Sequence, residues 1–275
     1  MTNNEQEIKF GFPASSISAA AGRHKYKNRY DALAEILHKY NSNLLPETKK
    51  SRHLPREYVN KIVIDMDDKL PVVSIRTDKD REVEKEMREK ITNTVKECIS
   101  KIDISQIAAK ETIMCSERVL DMNRGIYLET ETIEKLNNLG YKVEKCDVCF
   151  KKRFGYNNRH TVFGRVDGII LEGTNNKRLN AVVEVKNRRD RFFLSDYDLD
   201  QLAAYIYMTD AKEGIFVQQL EGELNISIYT RDELLERWEM IVADLKETIA
   251  FARKIVKNPT GKEWETIKEM YVFSD

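Results

Sequence analysis

Apolar positions along the chain follow a helical period first, then a strand period, and then alternate between the two. "PASSISAAAG", Pro13–Gly22, predicts a short helix with serine available as its cap and glycine as its stop. In "NRYDALAEILHKY", Leu33, Ile36, Leu37 and Tyr40 share one helical face. Residues 41–56 turn polar and carry proline, which predicts a loop. Two short apolar runs around "DMDD", within 58–77, predict a hairpin whose acidic turn is expected in solvent rather than on a cation. Asp78–Ser100 is densely charged with sparse apolar positions, which predicts an exposed helix. A further helix is predicted from about Ser116 to Leu139, closed by Gly140.

The period then changes. Val143–Phe150, Thr161–Leu171 and Asn180–Lys186 read as strands. Ser195–Met208 returns to helical spacing, with Leu199, Leu202 and Ile206 behind acidic cap candidates. "GIFVQQL" and "LNISIYT" predict a hairpin through Glu221–Glu223, and an amphipathic helix follows from Asp232 to Val256. This order predicts an α/β fold with a mixed sheet flanked by helices, without internal repeats.

Composition narrows the function. Hydrophobic residues make up 41% of the 275, enough for a real core, and 33% are charged. Lys plus Arg equals Asp plus Glu at 46 each, so no global positive field draws the chain to phosphate, and only local basic patches can do so. No apolar run approaches the roughly 18 residues of a membrane span, and the N-terminus has no signal-peptide core. The expectation is a soluble intracellular protein of cytoplasm or nucleus with no membrane partner. The four cysteines suit no disulfide framework; Cys146 and Cys149 form a C-x-x-C pair without a second pair to complete a zinc site.

"FGRVDGIILEGTNNKRLNAVVEVKN", Phe163–Asn187, sets Asp167, Glu184 and Lys186 among strand-forming apolar residues. Alternation puts Glu184 and Lys186 on one face and Val183 and Val185 on the other, while Arg165, Asp167 and Ile169 share a face of the preceding strand. Pairing Leu171 with Asn180 sets Asp167 across from Glu184, at the roughly 4.5–5.5 Å of cross-strand neighbours. Two carboxylates so placed need a shared proton or a cation. All-oxygen ligands suit Mg²⁺, with Mn²⁺ as substitute. Lys186, about 7 Å along the strand, is in reach of an attacking water or a phosphate oxygen. The residues alone leave two readings open: a solvated salt bridge on an edge hairpin, or a site for metal-assisted phosphodiester hydrolysis.

Four ordered segments carry a resemblance. "ASSISAAAGRHKYKNRYDAL", "RGIYLETETIEKL", the pair "VDGII" and "VEVK", and "DQLAAYIY" together resemble the PD-(D/E)XK nuclease superfamily, and within it the YqaJ-like viral recombinases, the group that includes lambda exonuclease. The resemblance covers roughly residues 10–40 and 115–230. It implies a restriction-endonuclease-like core, a central mixed β-sheet flanked by helices, in one nuclease domain interrupted by an insertion at about 41–112. It implies an Mg²⁺-dependent deoxyribonuclease, an exonuclease on linear double-stranded ends in viral or phage replication, recombination or repair. The alternatives are a RecB-like or restriction-like endonuclease, and a DNA-binding module without catalysis.

Carried over by position, Asp167, Glu184 and the Val185 carbonyl would hold the metal, and Glu129 would complete the site from its helix, sharing a face with Gly125. Lys186 would orient the water and Gln201 would hold the site from the opposite helix. Ser15, Arg165, Arg188 and Tyr205 are the DNA-contacting candidates, Tyr205 either touching the backbone or packing beneath. DNA is the implied partner, with a single-strand annealing protein as a second, while the oligomeric state is not derivable. Two departures stand out: the long 41–112 segment, and the absence of an arginine shortly before the serine, where only Lys9 is near. Basic segments with aromatics, Lys151–His160 and Lys186–Phe193, flank the hairpin.

Overall fold

The structure is a computed structural model that describes residues 8–41, 44, 78–101, 106–172 and 178–271. Most of the loop expected over 41–56, and the whole hairpin expected over 58–77, lie outside the described residues. The fold is mixed α/β. A three-stranded sheet joins β1 (Gly11–Pro13), β4 (His160–Arg165) and β3 (Cys149–Phe154) in the order β1-β4-β3. A five-stranded sheet runs in the order β2 (Glu144–Lys145), β5 (Gly168–Glu172), β6 (Arg178–Asn187), β7 (Glu213–Leu220), β8 (Glu223–Thr230). Among the described residues only β1–β4 and β6–β7 pair in parallel.

Two expected strands therefore divide between the sheets. Val143–Phe150 becomes β2 and β3, and Thr161–Leu171 becomes β4 and β5, with Val166 and Asp167 at the crossing. Gly168 sits just past this crossing because a Cβ there would lie 2.5 Å from Val143 Cγ1. The β7–β8 hairpin turns at Glu221 and Gly222, both with positive φ (51° and 89°), as a two-residue loop matched to strand twist requires.

The central strands are buried on both faces, as the apolar run Ala181–Val183, resumed at Val185 after Glu184, leads one to expect. One face carries the larger core, where Val182 and Phe216 meet α1 (Ile17–Ala20), α2 (Arg29–Tyr40), α5 (Asp196–Thr209), α6 (Arg231–Lys257) and α7 (Lys262–Tyr271) through Ile17, Leu33, Leu202, Trp238 and Ile267. The other face packs Ala181, Val183, Val185, Ile215 and Val217 under Ile133 and Leu136 of α4 (Gln106–Asn138). α4 begins ten residues before its expected start, and α7 has no counterpart in the sequence reading. α3 (Asp78–Ser100) packs along α4 and buries Ile91, Val95 and Ile99, so its charged composition does not leave it fully exposed.

Helix ends follow local chemistry. α5 and α6 each open on a capping box, Ser195 with Asp198 and Thr230 with Glu233. α2 is capped by Asn28, whose side chain accepts from the Tyr30 amide at 3.1 Å. The segment expected as one N-terminal helix is a 3₁₀ turn (Ala14–Ser16) running into α1, and no serine side chain caps either. Among the described residues no helix is long and apolar enough to cross a membrane.

Candidate active site

Register brings the two strand carboxylates together. Gly168 pairs with Val183, Ile169 with Val182 and Ile170 with Ala181, so Asp167, the residue before this ladder, falls opposite Glu184. Leu171 pairs with Leu179 rather than with the expected Asn180. An irregularity between Ile170 and Leu171 absorbs the slip, and the part of the ladder nearest the acids keeps the expected register. The Asp167 Oδ2 accepts the backbone N–H of Val185 at 2.7 Å, which fixes the bend to β6.

Alternation along β6 sends Val183 and Val185 into the α4 layer, while Glu184 and Lys186 turn toward α5. Glu184 is 2% exposed. One of its oxygens receives the Lys186 ammonium, and the other, Oε2, is buried without a hydrogen-bond partner. Lys186 also donates to Gln201 Oε1 at 3.3 Å, and Gln201 Nε2 donates to the Tyr205 hydroxyl at 2.8 Å. Tyr205 reaches this position because Gly164 of β4 leaves room: a Cβ there would stand 2.9 Å from the tyrosine ring.

This site holds more negative charge than its surroundings neutralise. Burial, and then the Asp167 carboxylate, push Glu184 up to about 8 in spite of Lys186. Burial raises Asp167 too, against the opposing Val185 amide and Lys186. Burial alone would lower the Lys186 ammonium, but Glu184 and Asp167 outweigh it and hold the group raised, hence charged. Burial, followed by the charge of Glu184, raises the Tyr205 phenol, which stays protonated.

Glu129 stands beside this group rather than inside it. Burial and the Asp167 charge raise its carboxyl, but its ion pair at 3.6 Å is with Lys145 of β2. Among the described residues no three or more His, Cys, Asp or Glu side chains gather closely enough to hold a metal ion. The assembled set is thus Asp167, Glu184, Lys186, Gln201 and Tyr205. Gly125, expected to permit close backbone approach, has open space where its Cβ would stand; its carbonyl instead accepts from Asn187 Nδ2 at 3.1 Å, tying α4 to the end of β6.

The DNA-contacting candidates divide. Ser15 and Arg165 are exposed. Arg188 turns inward, where it pairs with Asp198 at 2.7 Å and bonds Gln218 Oε1 and the Phe193 carbonyl, so it presents no free guanidinium outward. Tyr205 is 3% exposed, with its hydroxyl on Gln201, a placement in keeping with packing beneath the carboxylates. In the basic segments Lys152 is taken by Asp210 at 2.7 Å, while Lys151 and Arg153 are exposed.

Two residues here escaped the sequence reading. Lys145 holds Glu129 from a two-residue strand with no periodic signal. Asp198 is 1% exposed, holds Arg188 and the Ser195 hydroxyl, and keeps Oδ1 buried without a partner. The S-x-x-D spacing identifies Asp198 as a cap, but its second bond exists only once α5 packs on β6.

Two carboxylates face each other, and the unpartnered Oε2 of Glu184 is a buried acceptor that no donor among the described residues satisfies, chemistry that a hard divalent cation would complete. No protein-family model matches the chain, and no curated protein sequence does. Among solved structures it is similar to SSO0001, at 20% identity and a TM-score of 0.38 over 60% of this chain and 70% of that one. It is also similar to an alkaline exonuclease from Laribacter hongkongensis, at 15% identity and a TM-score of 0.37 over 56% and 87%. A third likeness is to Rai1 of Scheffersomyces stipitis, at 14% identity and a TM-score of 0.26 over 39% and 32%.

Proposed function

We propose that the chain is an Mg²⁺-dependent deoxyribonuclease that hydrolyses phosphodiester bonds as an exonuclease on linear double-stranded ends. The observation that carries the reading is the buried Asp167–Glu184 pair with Lys186 in contact and Glu184 Oε2 unpartnered. A bare salt bridge on a solvated face would leave Glu184 exposed and satisfied; its burial weighs against that alternative.

Asp167 and Glu184 would hold the cation, with the Val185 carbonyl and, once freed from Lys145, Glu129 as further oxygens. When bound, the ion supplies Lewis-acid polarisation of the phosphate and an acidified water. Lys186 positions the attacking water and offsets charge building on the phosphate oxygens. Gln201 fixes the Lys186 ammonium, and Tyr205, protonated at all working pH values, fixes Gln201. Burial of the carboxylate pair keeps the field between these groups strong. The setting would be viral or phage DNA replication, recombination or repair, in cytoplasm or nucleus, with DNA and a single-strand annealing protein as partners. The nuclease would be one domain, with the 41–112 segment as its insertion.

A second reading, a DNA-binding module without catalysis, draws on the Lys145–Glu129 pair that holds the third acid apart. The deciding assay compares linear with covalently closed DNA, with and without Mg²⁺, for the wild type and Lys186→Ala. Metal-dependent loss of linear substrate alone supports the exonuclease, and cutting of closed circles moves the assignment to an endonuclease. Binding without metal-dependent loss, unchanged in Lys186→Ala, leaves the binding module.

A further inference from the structure

The loop from Gly22 to Asn28 contains a group of side chains that the proposed chemistry does not use. It is firmly anchored. Arg23 reaches Asp200 at 3.2 Å and Asp244 at 3.0 Å, and Lys27 reaches Glu35 at 3.1 Å. The backbone N–H groups of Tyr26 and Lys27 donate to His24 Nδ1 at 3.1 and 2.9 Å, which fixes the imidazole. That ring stacks on Tyr197 with centroids 4.3 Å apart and planes 17° from parallel. Tyr26 stands edge-on to it at 6.4 Å and 73°, and is 77% exposed. The Lys25 ammonium lies 5.3 Å from the centroid of Tyr26 and has no carboxylate partner among the described residues.

This corner shares a helix end with the candidate active site. Tyr197 lies one turn before Gln201, the residue in contact with Lys186. Asp198, next to Tyr197, acts on His24 and also on Glu184 and Lys186, so these groups lie within one electrostatic neighbourhood. The fold spends two backbone donors and several ion pairs on holding these rings, of which Tyr26 stands in water while His24 and Tyr197 are half-buried.

We infer that Tyr26, His24 and Tyr197, with the Lys25 ammonium, form a stacking corner for unpaired bases of single-stranded DNA entering or leaving the site. The inference deepens the nuclease reading and rests on it for the position of the cut phosphate. Rings at right angles offer faces and edges to an unstacked base, whereas the bases of an intact duplex already cover one another. Among the described residues Lys25 is the cation of this corner without a carboxylate partner, which suits tracking a single phosphate; gripping a duplex backbone takes a larger basic surface. An acidic peptide would call for more unpaired cations than Lys25 supplies at this corner among the described residues.

The test is fluorescence anisotropy in EDTA with three labelled DNAs: a single strand, a duplex with a single-stranded overhang, and a blunt duplex. Tyr26→Ala should weaken binding of the first two about ten-fold and leave the blunt duplex unchanged, since stacking on one aromatic contributes ~1–3 kcal/mol. Tyr26→Phe should restore binding, and Lys25→Gln should lower the salt dependence by about one counterion. Equal binding of all three DNAs by wild type and Tyr26→Ala overturns the stacking corner, whatever the hydrolysis assay gives. Binding by polyglutamate but by no DNA also overturns it, in favour of an acidic protein partner. Weakened single-strand binding without any Mg²⁺-dependent hydrolysis by wild type keeps the corner and removes the nuclease reading.

Discussion

The backbone N–H of Val185 donates to the Asp167 carboxylate at 2.7 Å, across the point where the chain leaves the three-stranded sheet and enters the five-stranded one. This bond makes Asp167 part of the fold as well as of the site. The two roles separate by substitution. Asp167→Asn keeps an acceptor for the amide and removes the charge, so hydrolysis should fall by at least ~10²-fold with little change in Tm. Asp167→Ala should lose activity equally and also destabilise by about 1–3 kcal/mol, because a buried N–H is left unsatisfied. Thermal unfolding alongside degradation of linear DNA checks both.

Metal should report itself without turnover. Mg²⁺ or Mn²⁺ at a hundred times its Kd should stabilise the protein by ~2.7 kcal/mol, a rise in Tm of several degrees. Glu184→Gln should abolish that rise, since Oε2 then no longer carries ligand charge. Glu129→Gln should reduce it less, because Glu129 is engaged by Lys145. A metal-independent Tm for the wild type would remove the cation from the site.

The Lys186 ammonium touches both Glu184 and Gln201. Lys186→Ala should cost ~10²–10³ in rate, the scale of removing one charge-stabilising donor. It also strands Glu184, which sits at about 8 even with the lysine present. A carboxyl raised in the folded state favours folding below its unfolded value near 4.5 and loses that contribution as pH rises through 8. Lys186→Ala should therefore unfold more easily at pH 8 than at pH 5 relative to wild type, as measured by paired denaturant titrations. Tyr205→Phe, which leaves Gln201 Nε2 unpaired, should lower the rate about three- to ten-fold.

How much of this could be read beforehand depended on whether the signal was local. The carboxylate register follows from the strict alternation of "VEVK" and a turn-rich connection, and it holds from Ile170 to Gly168. The split of Thr161–Leu171 between two sheets was not legible, because Val162, Val166 and Ile169–Leu171 keep a strand-like pattern on both sides of the crossing and no turn sequence marks a change of partner. The inward turn of Arg188 depends on Asp198, ten residues on and in another element. The burial of Tyr205 depends on Gly164, which only the packing of α5 on β4 reveals. The 3.6 period put Gly125 and Glu129 on one face of α4, but the cation that takes Glu129 comes from β2, outside any periodic pattern.

His160 should give the fold a measurable sensitivity to acid, independent of the candidate active site. Its ring is 3% exposed, stacks on Phe10 at 5.7 Å and accepts the Phe10 N–H at Nδ1, with Arg253 3.2 Å from Nε2. Burial, then Arg253 and Arg159, lower it from 6.5 to about 4. The unfolded chain therefore binds a proton that the folded chain refuses. The neutral ring contributes its full stability above pH 6.5, and that contribution is lost as pH falls through the interval to about 4. His160→Phe should be less stable at pH 7.5, since the Phe10 amide loses its acceptor, yet its Tm should decline less than that of wild type between pH 6.5 and 4. Calorimetry across that range decides it: parallel slopes would show that the imidazole takes up its proton without resistance from the fold.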